Sequence, residues 1–70
     1  MERTPVSSSN ISSIGYEEST ATLEVGFLSG KVYQYYGVPL EVYQGFISAG
    51  SHGTYLNQVI KKGGYPYSEV

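Results

Sequence analysis

The sequence predicts an α+β fold in which a three-stranded antiparallel meander is followed by two short helices. Up to residue 38, apolar residues alternate with polar ones, as they do in strands with one buried face. From residue 39 onward they recur at intervals of three and four, as they do in amphipathic helices. Short connections favour a meander whose apolar face is covered by one or both helices.

The first two predicted strands are read from alternating apolar residues. In the segment 11–16, Ile14 and Tyr16 stand two positions apart, and the polar residues 17–20 that follow read as a turn. The second strand, over 21–27, has the clearest alternation of the whole chain. Its apolar face consists of Ala21, Leu23, Val25 and Phe27.

The third predicted strand, 31–38, has large side chains on both faces, so the preceding turn must decide which face is buried. A three-residue loop ending at Gly30 puts glycine in the left-handed conformation that such loops favour, whereas a two-residue Ser-Gly turn suits neither common hairpin type. The resulting register pairs Val25 with Tyr33 and Leu23 with Tyr35. Opposed residues share a face, so we predict that Tyr33 and Tyr35 lie on the buried face.

Two helices are predicted between Pro39 and Gly63. Proline suits the first turn of the first helix, and Gly50 is a plausible stop for it. Ser51 is a good N-cap for a second helix over 53–62, because its hydroxyl can accept a bond from a free backbone N–H. The two apolar stripes are Val42, Tyr43, Phe46 and Ile47, and then Tyr55, Leu56, Val59 and Ile60.

The length and composition allow one small domain with few means of stabilisation. We assign residues 1–8 to a flexible lead-in, 9–67 to a single domain and 68–70 to a tail. The 70 residues include no cysteine and only one histidine, so we expect no disulfide, metal or other cofactor. An aromatic core built on the eight tyrosines, or self-association, would have to compensate.

The charge of the chain limits its partners. A net charge of −2 with only four cations argues against a nucleic-acid binder driven by charge, because few phosphates could be neutralised. No apolar run approaches the roughly 18 residues of a membrane span, and residues 1–10 lack the apolar core of a signal peptide. We therefore expect a cytoplasmic protein without membrane contact.

Several short motifs follow one another at characteristic spacing: Ser9-x-Ile11, Ile14-Gly15-Tyr16, Leu23-x-Val25-x-Phe27, Gly30, Tyr33-x-Tyr35, Val38-Pro39, Ala49-x-Ser51-x-Gly53-x-Tyr55-x-Asn57, Ile60 and Tyr65. From about residue 5 to residue 67, this order resembles the KTSC family, whose hallmark is the central Tyr-x-Tyr. The family is named after the C-terminus of certain lysyl-tRNA synthetases and also occurs as small stand-alone bacterial proteins. RNA binding is suggested by the synthetase context, but this chain has fewer basic residues after Ile60 than typical members.

The aromatic residues of the third strand and the lysines give a candidate surface for nucleic acid or a partner. Tyr33 and Tyr35 could stack on bases, but a domain this small needs their buried area, so we interpret them as structural. Tyr36 on the opposite face is then the better stacking candidate. The candidate surface consists of Gln34, Tyr36, Lys31, Lys61 and Lys62.

The start of the second helix is a candidate anion site. Its free N–H groups and dipole could hold a phosphate or carboxylate at Ser51, His52, Gly53 and Asn57. The alternative is an ordinary capped helix start, with Gly53 allowing close packing. The chain has no aspartate and its six glutamates are scattered, so no arrangement suited to nucleophilic or acid–base catalysis is present, and we predict no enzyme activity.

Two functional hypotheses remain. The first is a non-catalytic interaction module that binds a protein partner or a second copy of itself. The alternative is weak binding of RNA or single-stranded DNA through exposed tyrosines and the three lysines. Some cover is expected for the outer face of the sheet, because it carries Leu28, Val32, Tyr36 and Val38. These residues are covered by a homodimer or by the C-terminal segment, or else they form an exposed ligand surface.

Overall fold

Five antiparallel strands form one sheet in the computed structural model, which describes residues 1–70. In chain order and side by side, they are β1 (Thr4–Pro5), β2 (Ile11–Glu17), β3 (Thr22–Phe27), β4 (Val32–Tyr36) and β5 (Tyr67–Glu69). Helix α1 spans Leu40–Ile47. The second helix begins as α2 (His52–Tyr55) and continues as a π-helix over Leu56–Lys61. The α+β class is confirmed, whereas the predicted number of three strands is too small.

The two additional strands lie at the edges of the sheet: β1 comes from the segment 1–8 that we assigned to the lead-in, and β5 spans the boundary at residue 67 between the predicted domain and the tail. In β1, Thr4 pairs with Ile14, and in β5, Tyr67 pairs with Tyr35. Two or three residues are too few to show an alternation, and a proline stands in or directly before each strand. Such segments become strands because the neighbouring backbone offers unpaired hydrogen-bonding groups.

The predicted register between the central strands is confirmed. Val25 faces Tyr33 and Leu23 faces Tyr35. The loop that sets this register ends at Gly30, whose φ of 96° lies in the left-handed region that glycine adopts readily. Its ends are held by a 2.8 Å hydrogen bond from the backbone N–H of Phe27 to the carbonyl of Lys31.

The core lies between one face of the sheet and the helices. Its nine buried members are Ile11, Ile14, Leu23, Val25, Tyr35, Val38, Phe46, Leu56 and Ile60. Val38 corrects the prediction that placed it on the outer face. The strand ends at Tyr36, and Gly37 with a φ of 73° turns the chain, so the alternation stops before Val38.

Ser51 caps the second helix as predicted. Its Oγ accepts a 3.3 Å hydrogen bond from the backbone N–H of Thr54 and donates a 2.9 Å bond to the Thr54 hydroxyl. The π-helical continuation was not predicted, because a short stripe of apolar residues does not distinguish hydrogen bonds between residues four apart from bonds between residues five apart. Leu56 and Ile60 of this segment are buried in the core, and Lys61 is exposed beside Ile60.

Replacing Ser51 with alanine should lower the free energy of unfolding by about 0.5–2 kcal/mol, because one free N–H of the helix start loses its acceptor. Ser51→Gly should lower it by only a few tenths. Urea midpoints measure both variants. Ser48→Ala is the control, since the Ser48 hydroxyl bonds the Gln44 carbonyl of its own helix at the surface. Alanine and glycine variants that both match wild type would contradict the capping role.

Candidate functional site

The surface has a groove of about 720 Å³ between the end of the second helix and the β3–β4–β5 part of the sheet. Six of the ten residues that line it are hydrophobic, and four of the ten are tyrosines. The lining consists of Phe27, Ser29, Lys31, Tyr33, Tyr35, Ile60, Lys61, Gly64, Tyr65 and Tyr67. We call this the aromatic groove.

One wall of the aromatic groove is formed by aromatic side chains of three adjacent strands. The ring of Tyr67 on β5 lies 6.0 Å from that of Tyr33 and 5.7 Å from that of Tyr35, measured between centroids. Phe27 on β3 meets Tyr33 edge to face at 5.9 Å. These distances are within the range of favourable aromatic pairs. Because Tyr35 is only 4% exposed whereas Tyr67 is 63% exposed, the wall extends from the core to the solvent.

The opposite wall is formed by the π-helix and the glycines after it. Ile60 and Lys61 come from the last turn of the π-helix. A β-carbon at Gly63 would lie 2.6 Å from the ring of Tyr65, so only glycine lets this ring pack there. Gly64, with a φ of 73°, then turns the chain back towards the sheet. The π-helix and Gly63-Gly64 therefore set the width of the groove.

The aromatic groove concentrates positive charge in a chain that is negative overall. Lys31 and Lys61 line it, and no carboxylate does. The one ion pair of the structure, Arg3 with Glu24 at 3.5 Å, lies elsewhere. Glu69 on β5 faces Tyr33 across the strand pair and is the acidic residue adjacent to this wall. Both lysine ammonium groups are therefore free to bind an anion.

One tyrosine hydroxyl of the wall, that of Tyr35, has a raised pKa. Burial raises the pKa of Tyr35 above its usual value of 10.0, and the neighbouring Tyr33 and Tyr67 raise it further. Outside the groove, burial together with Glu18 and Glu41 raises the pKa of Tyr16. The Tyr16 hydroxyl donates to the carbonyl of Val38 at 2.5 Å. The groove thus offers aromatic rings and two lysines.

The structure separates the five residues that we predicted as one nucleic-acid or partner surface. Lys31 and Lys61 lie in the aromatic groove, while Lys62 is exposed outside it. Gln34 and Tyr36 are on the opposite face. There, the amide nitrogen of Gln34 donates to the Glu24 carboxylate at 2.8 Å, and the Tyr36 hydroxyl donates to Gln34 at 3.1 Å. Lys31 and Lys61 therefore lie with the Tyr33–Tyr35 pair and not with Tyr36.

Arg3 covers part of this outer face. Its guanidinium pairs with Glu24, and its side chain lies over two glycines of the sheet. A β-carbon at Gly15 would lie 2.9 Å from Arg3 Cγ, and one at Gly26 would lie 3.0 Å from Arg3 Nη1. The outer face is therefore partly covered from the N-terminal side, whereas the C-terminal segment extends the sheet at its edge.

At the candidate anion site, the side chains make internal contacts. The Ser51 hydroxyl is engaged by Thr54, and a β-carbon at Gly53 would lie 3.0 Å from the side-chain oxygen of Asn10. His52 Nε2 lies 3.3 Å from the carbonyl of Ile47, while its buried Nδ1 has no partner. Asn57 is exposed and makes no side-chain hydrogen bond. This is the geometry of a capped and packed helix start.

Sequence reasoning did not propose six residues of the groove lining as site residues: Phe27, Ser29, Ile60, Gly64, Tyr65 and Tyr67. The available signal was Tyr65-Pro66-Tyr67, an extended aromatic segment directly after a glycine stop. It predicts neither the strand pairing of Tyr67 nor the position of its ring. No three metal-ligating side chains come together in the structure, and none of its helices combines the length and apolar character needed to cross a membrane.

Comparisons with known proteins show which proteins this chain is similar to. The family model of the KTSC domain matches residues 7–65. A KTSC domain protein from Yersinia pestis, solved by crystallography, superposes with a TM-score of 0.93 at 43% identity and covers 99% of this chain and 96% of its own. An uncharacterized protein of Stutzerimonas stutzeri is 43% identical over the whole chain and 99% of its own length.

Larger proteins contain the same domain. The lysine–tRNA ligase of Trichormus variabilis is 42% identical over 55 residues, which are 79% of this chain and 10% of the ligase. The ligase of Nostoc punctiforme is 42% identical over 51 residues, or 9% of its length. The similarity to these enzymes is therefore confined to a small part of each.

Proposed function

The chain belongs to the KTSC domain family, and from that premise we propose that it is a non-catalytic interaction module that binds a protein partner in the aromatic groove. The observation that supports this most is the groove itself. Its volume of about 720 Å³ is within the range of roughly 300–1,000 Å³ typical of ligand sites. Its lining is apolar with a few polar groups, as in such sites, and includes neither a carboxylate nor a histidine.

The chemistry of the lining defines the partner segment. Tyrosine rings favour apolar or aromatic side chains, because large flat surfaces bury area at little cost in side-chain entropy. Lys31 and Lys61 favour a carboxylate on the same segment, because charge complementarity steers and orients the partner. Along β4, the wall runs from Lys31 to Tyr35, which is about 13 Å of extended chain. We therefore propose an acidic and aromatic peptide of about four residues in contact.

A displayed library of random peptides, selected on the full-length protein, tests this function. We expect enriched peptides that combine acidic with aromatic residues. Synthetic copies should lose about tenfold or more in affinity for Lys61→Glu, because a carboxylate then meets a like charge in the groove; tenfold corresponds to about 1.4 kcal/mol.

Lys62→Glu is the matched control, since it makes the same charge change one residue away and outside the lining. Its affinity should stay within about threefold of wild type, because charges exposed to salt interact weakly. Fluorescence polarisation with labelled peptide measures both variants. Enrichment of peptides that lack acidic residues would contradict binding in the groove. Equal losses of peptide affinity in Lys61→Glu and Lys62→Glu would contradict it as well.

Weak binding of single-stranded RNA is a second candidate, because the groove joins lysines with aromatic rings as stacking sites for single strands do. A labelled oligouridylate titrated at several salt concentrations tests it. Two lysine contacts should give a slope of about −1.4 in log affinity against log salt. Saturable binding with that slope, lost in Lys61→Glu and kept in Lys62→Glu, would favour RNA over a peptide. Absence of saturable binding at low salt would exclude this candidate.

A further inference from the structure

The C-terminal strand β5 is an exposed edge of the aromatic groove. All three of its residues are exposed, and it pairs only with β4. Beyond the ladder, one 2.9 Å hydrogen bond runs from the N–H of Tyr36 to the carbonyl of Pro66 and another from the N–H of Val70 to the carbonyl of Val32. Even so, β5 brings Tyr67 to the groove wall.

The segment that connects β5 to the rest of the chain is short and sharply bent. The π-helix ends at Lys61 and β5 begins at Tyr67, which leaves five residues to reverse the chain. The bend needs a positive φ at Gly64 and is followed by Pro66, which favours extended backbone before it. The match to the family model ends at residue 65, ahead of β5.

Exposed apolar side chains gather beside this strand. Five large hydrophobic residues are exposed in the whole structure, and three of them lie on or near β5. They are Tyr67 in the strand (63% exposed), Val70 directly after it (63%) and Leu28 in the β3–β4 loop (60%). Val70 bonds to Val32, which follows that loop closely, so Leu28 and Val70 lie at the same end of the sheet. This surface is suited to burial by a second molecule.

We propose that two copies of this chain exchange their β5 strands, so that Tyr67 of the partner subunit completes each aromatic groove. Every contact of β5 with β4 can form equally well between copies, so the exchange loses none of them. It straightens the bend at Gly64, and a short bent connection is the feature that favours exchange. In the exchanged dimer, Val70 of the partner subunit bonds to Val32 near Leu28, in the place that Val70 of the same chain holds without exchange. The reciprocal exchange closes as a two-fold dimer.

Energy transfer between two singly labelled populations tests the exchange. The chain contains no cysteine, so Leu28→Cys with a donor and Val70→Cys with an acceptor each carry one label at an exposed site. When the populations are mixed, exchange places the acceptor of one copy beside the donor of the other. We expect transfer that rises with protein concentration, together with a dimer in sedimentation. Absence of transfer up to about millimolar protein would overturn the proposal.

Proline substitutions in β5 separate strand exchange from other dimers. Tyr36 is hydrogen-bonded to Pro66, and Val32 to Val70, across the β4–β5 pair. Hydrogen-bonded pairs recur at every second residue of an antiparallel ladder, so Gln34 and Ser68, which lie opposite each other between them, form the next such pair. The N–H of Ser68 therefore points to β4, whereas that of Glu69 points away. Ser68→Pro should abolish transfer and Glu69→Pro should keep it. Ser68→Ala controls for the hydroxyl, which lies 2.6 Å from that of Tyr36. Transfer that survives in Ser68→Pro would overturn the proposal, because the copies would then associate elsewhere.

The exchange stands independently of the proposed function. A monomer that still binds the acidic peptides leaves the interaction module intact and removes only the exchange. A dimer that exchanges β5 but binds no acidic peptide supports the exchange and contradicts the proposed interaction module. If both hold, Ser68→Pro should weaken peptide binding as well, because Tyr67 leaves the groove wall.

Discussion

Replacement of Tyr35 by alanine is expected to lower the free energy of unfolding by about 3–5 kcal/mol, enough to unfold a domain of this size at room temperature. Tyr35 is the only buried member of the tyrosine pair, and its ring fills the space between Leu23 across the strand and Tyr67 on β5. Alanine leaves a cavity that the rigid sheet closes only in part. Thermal melts followed by circular dichroism measure the change.

Tyr35→Phe is the matched control, because it removes only the hydroxyl. The tyrosine hydroxyls that make hydrogen bonds are those of Tyr16, Tyr36 and Tyr55, so the Tyr35→Phe variant should melt within a few degrees of wild type. The contrast tests whether Tyr35 acts through its volume. A folded alanine variant with a wild-type melting temperature would show that Tyr35 is not part of the core.

Replacement of Phe46 by alanine is expected to cost a similar amount, about 3–5 kcal/mol. Phe46 is the largest fully buried side chain and connects α1 to the second helix. Its ring stacks on Tyr55 with centroids 5.5 Å apart and meets His52 at 6.1 Å. Tyr55 in turn donates from its hydroxyl to the carbonyl of Val42 at 3.0 Å. Loss of Phe46 therefore loosens the packing between the helices as well as leaving a cavity.

Val59→Ala provides the comparison for Phe46, since Val59 is on the second helix but partly exposed. It should change the free energy of unfolding by no more than about 0.5 kcal/mol, as for other surface substitutions. Urea denaturation of the three proteins gives the values. Equal effects of Phe46→Ala and Val59→Ala would place the helix junction outside the core.

The central sheet illustrates how far sequence reasoning extends. The alternation of Leu23 and Val25 defines a strand, and Gly30 defines the loop, so the register and the inward face of Tyr35 followed from local rules. Ser51 was predictable as a cap for the same reason, because capping depends on residues three positions apart. Each of these predictions uses residues that are close in the chain or joined by one tight turn.

The groove was predicted only in part. Lys31, Lys61 and the tyrosine pair were all singled out, but the two lysines were grouped with Tyr36, which lies on the opposite face of the sheet. Residues two apart in a strand share a face, so the sequence alone could have placed Lys31 on the same face as Tyr33. The position of Lys61 could not be predicted from the sequence, because it depends on how the π-helix packs against the sheet.

By itself, the sequence determined the family, the α+β class and the pairing of the central strands, because alternation, turn glycines and helix caps act over a few residues. Only the tertiary structure decided that Thr4–Pro5 and Tyr67–Glu69 are strands and that Tyr67 meets Tyr33 and Tyr35. Such short edge segments have little propensity of their own. They become ordered because β2 and β4 present unpaired N–H and C=O groups, and that template exists only once the rest of the chain has folded.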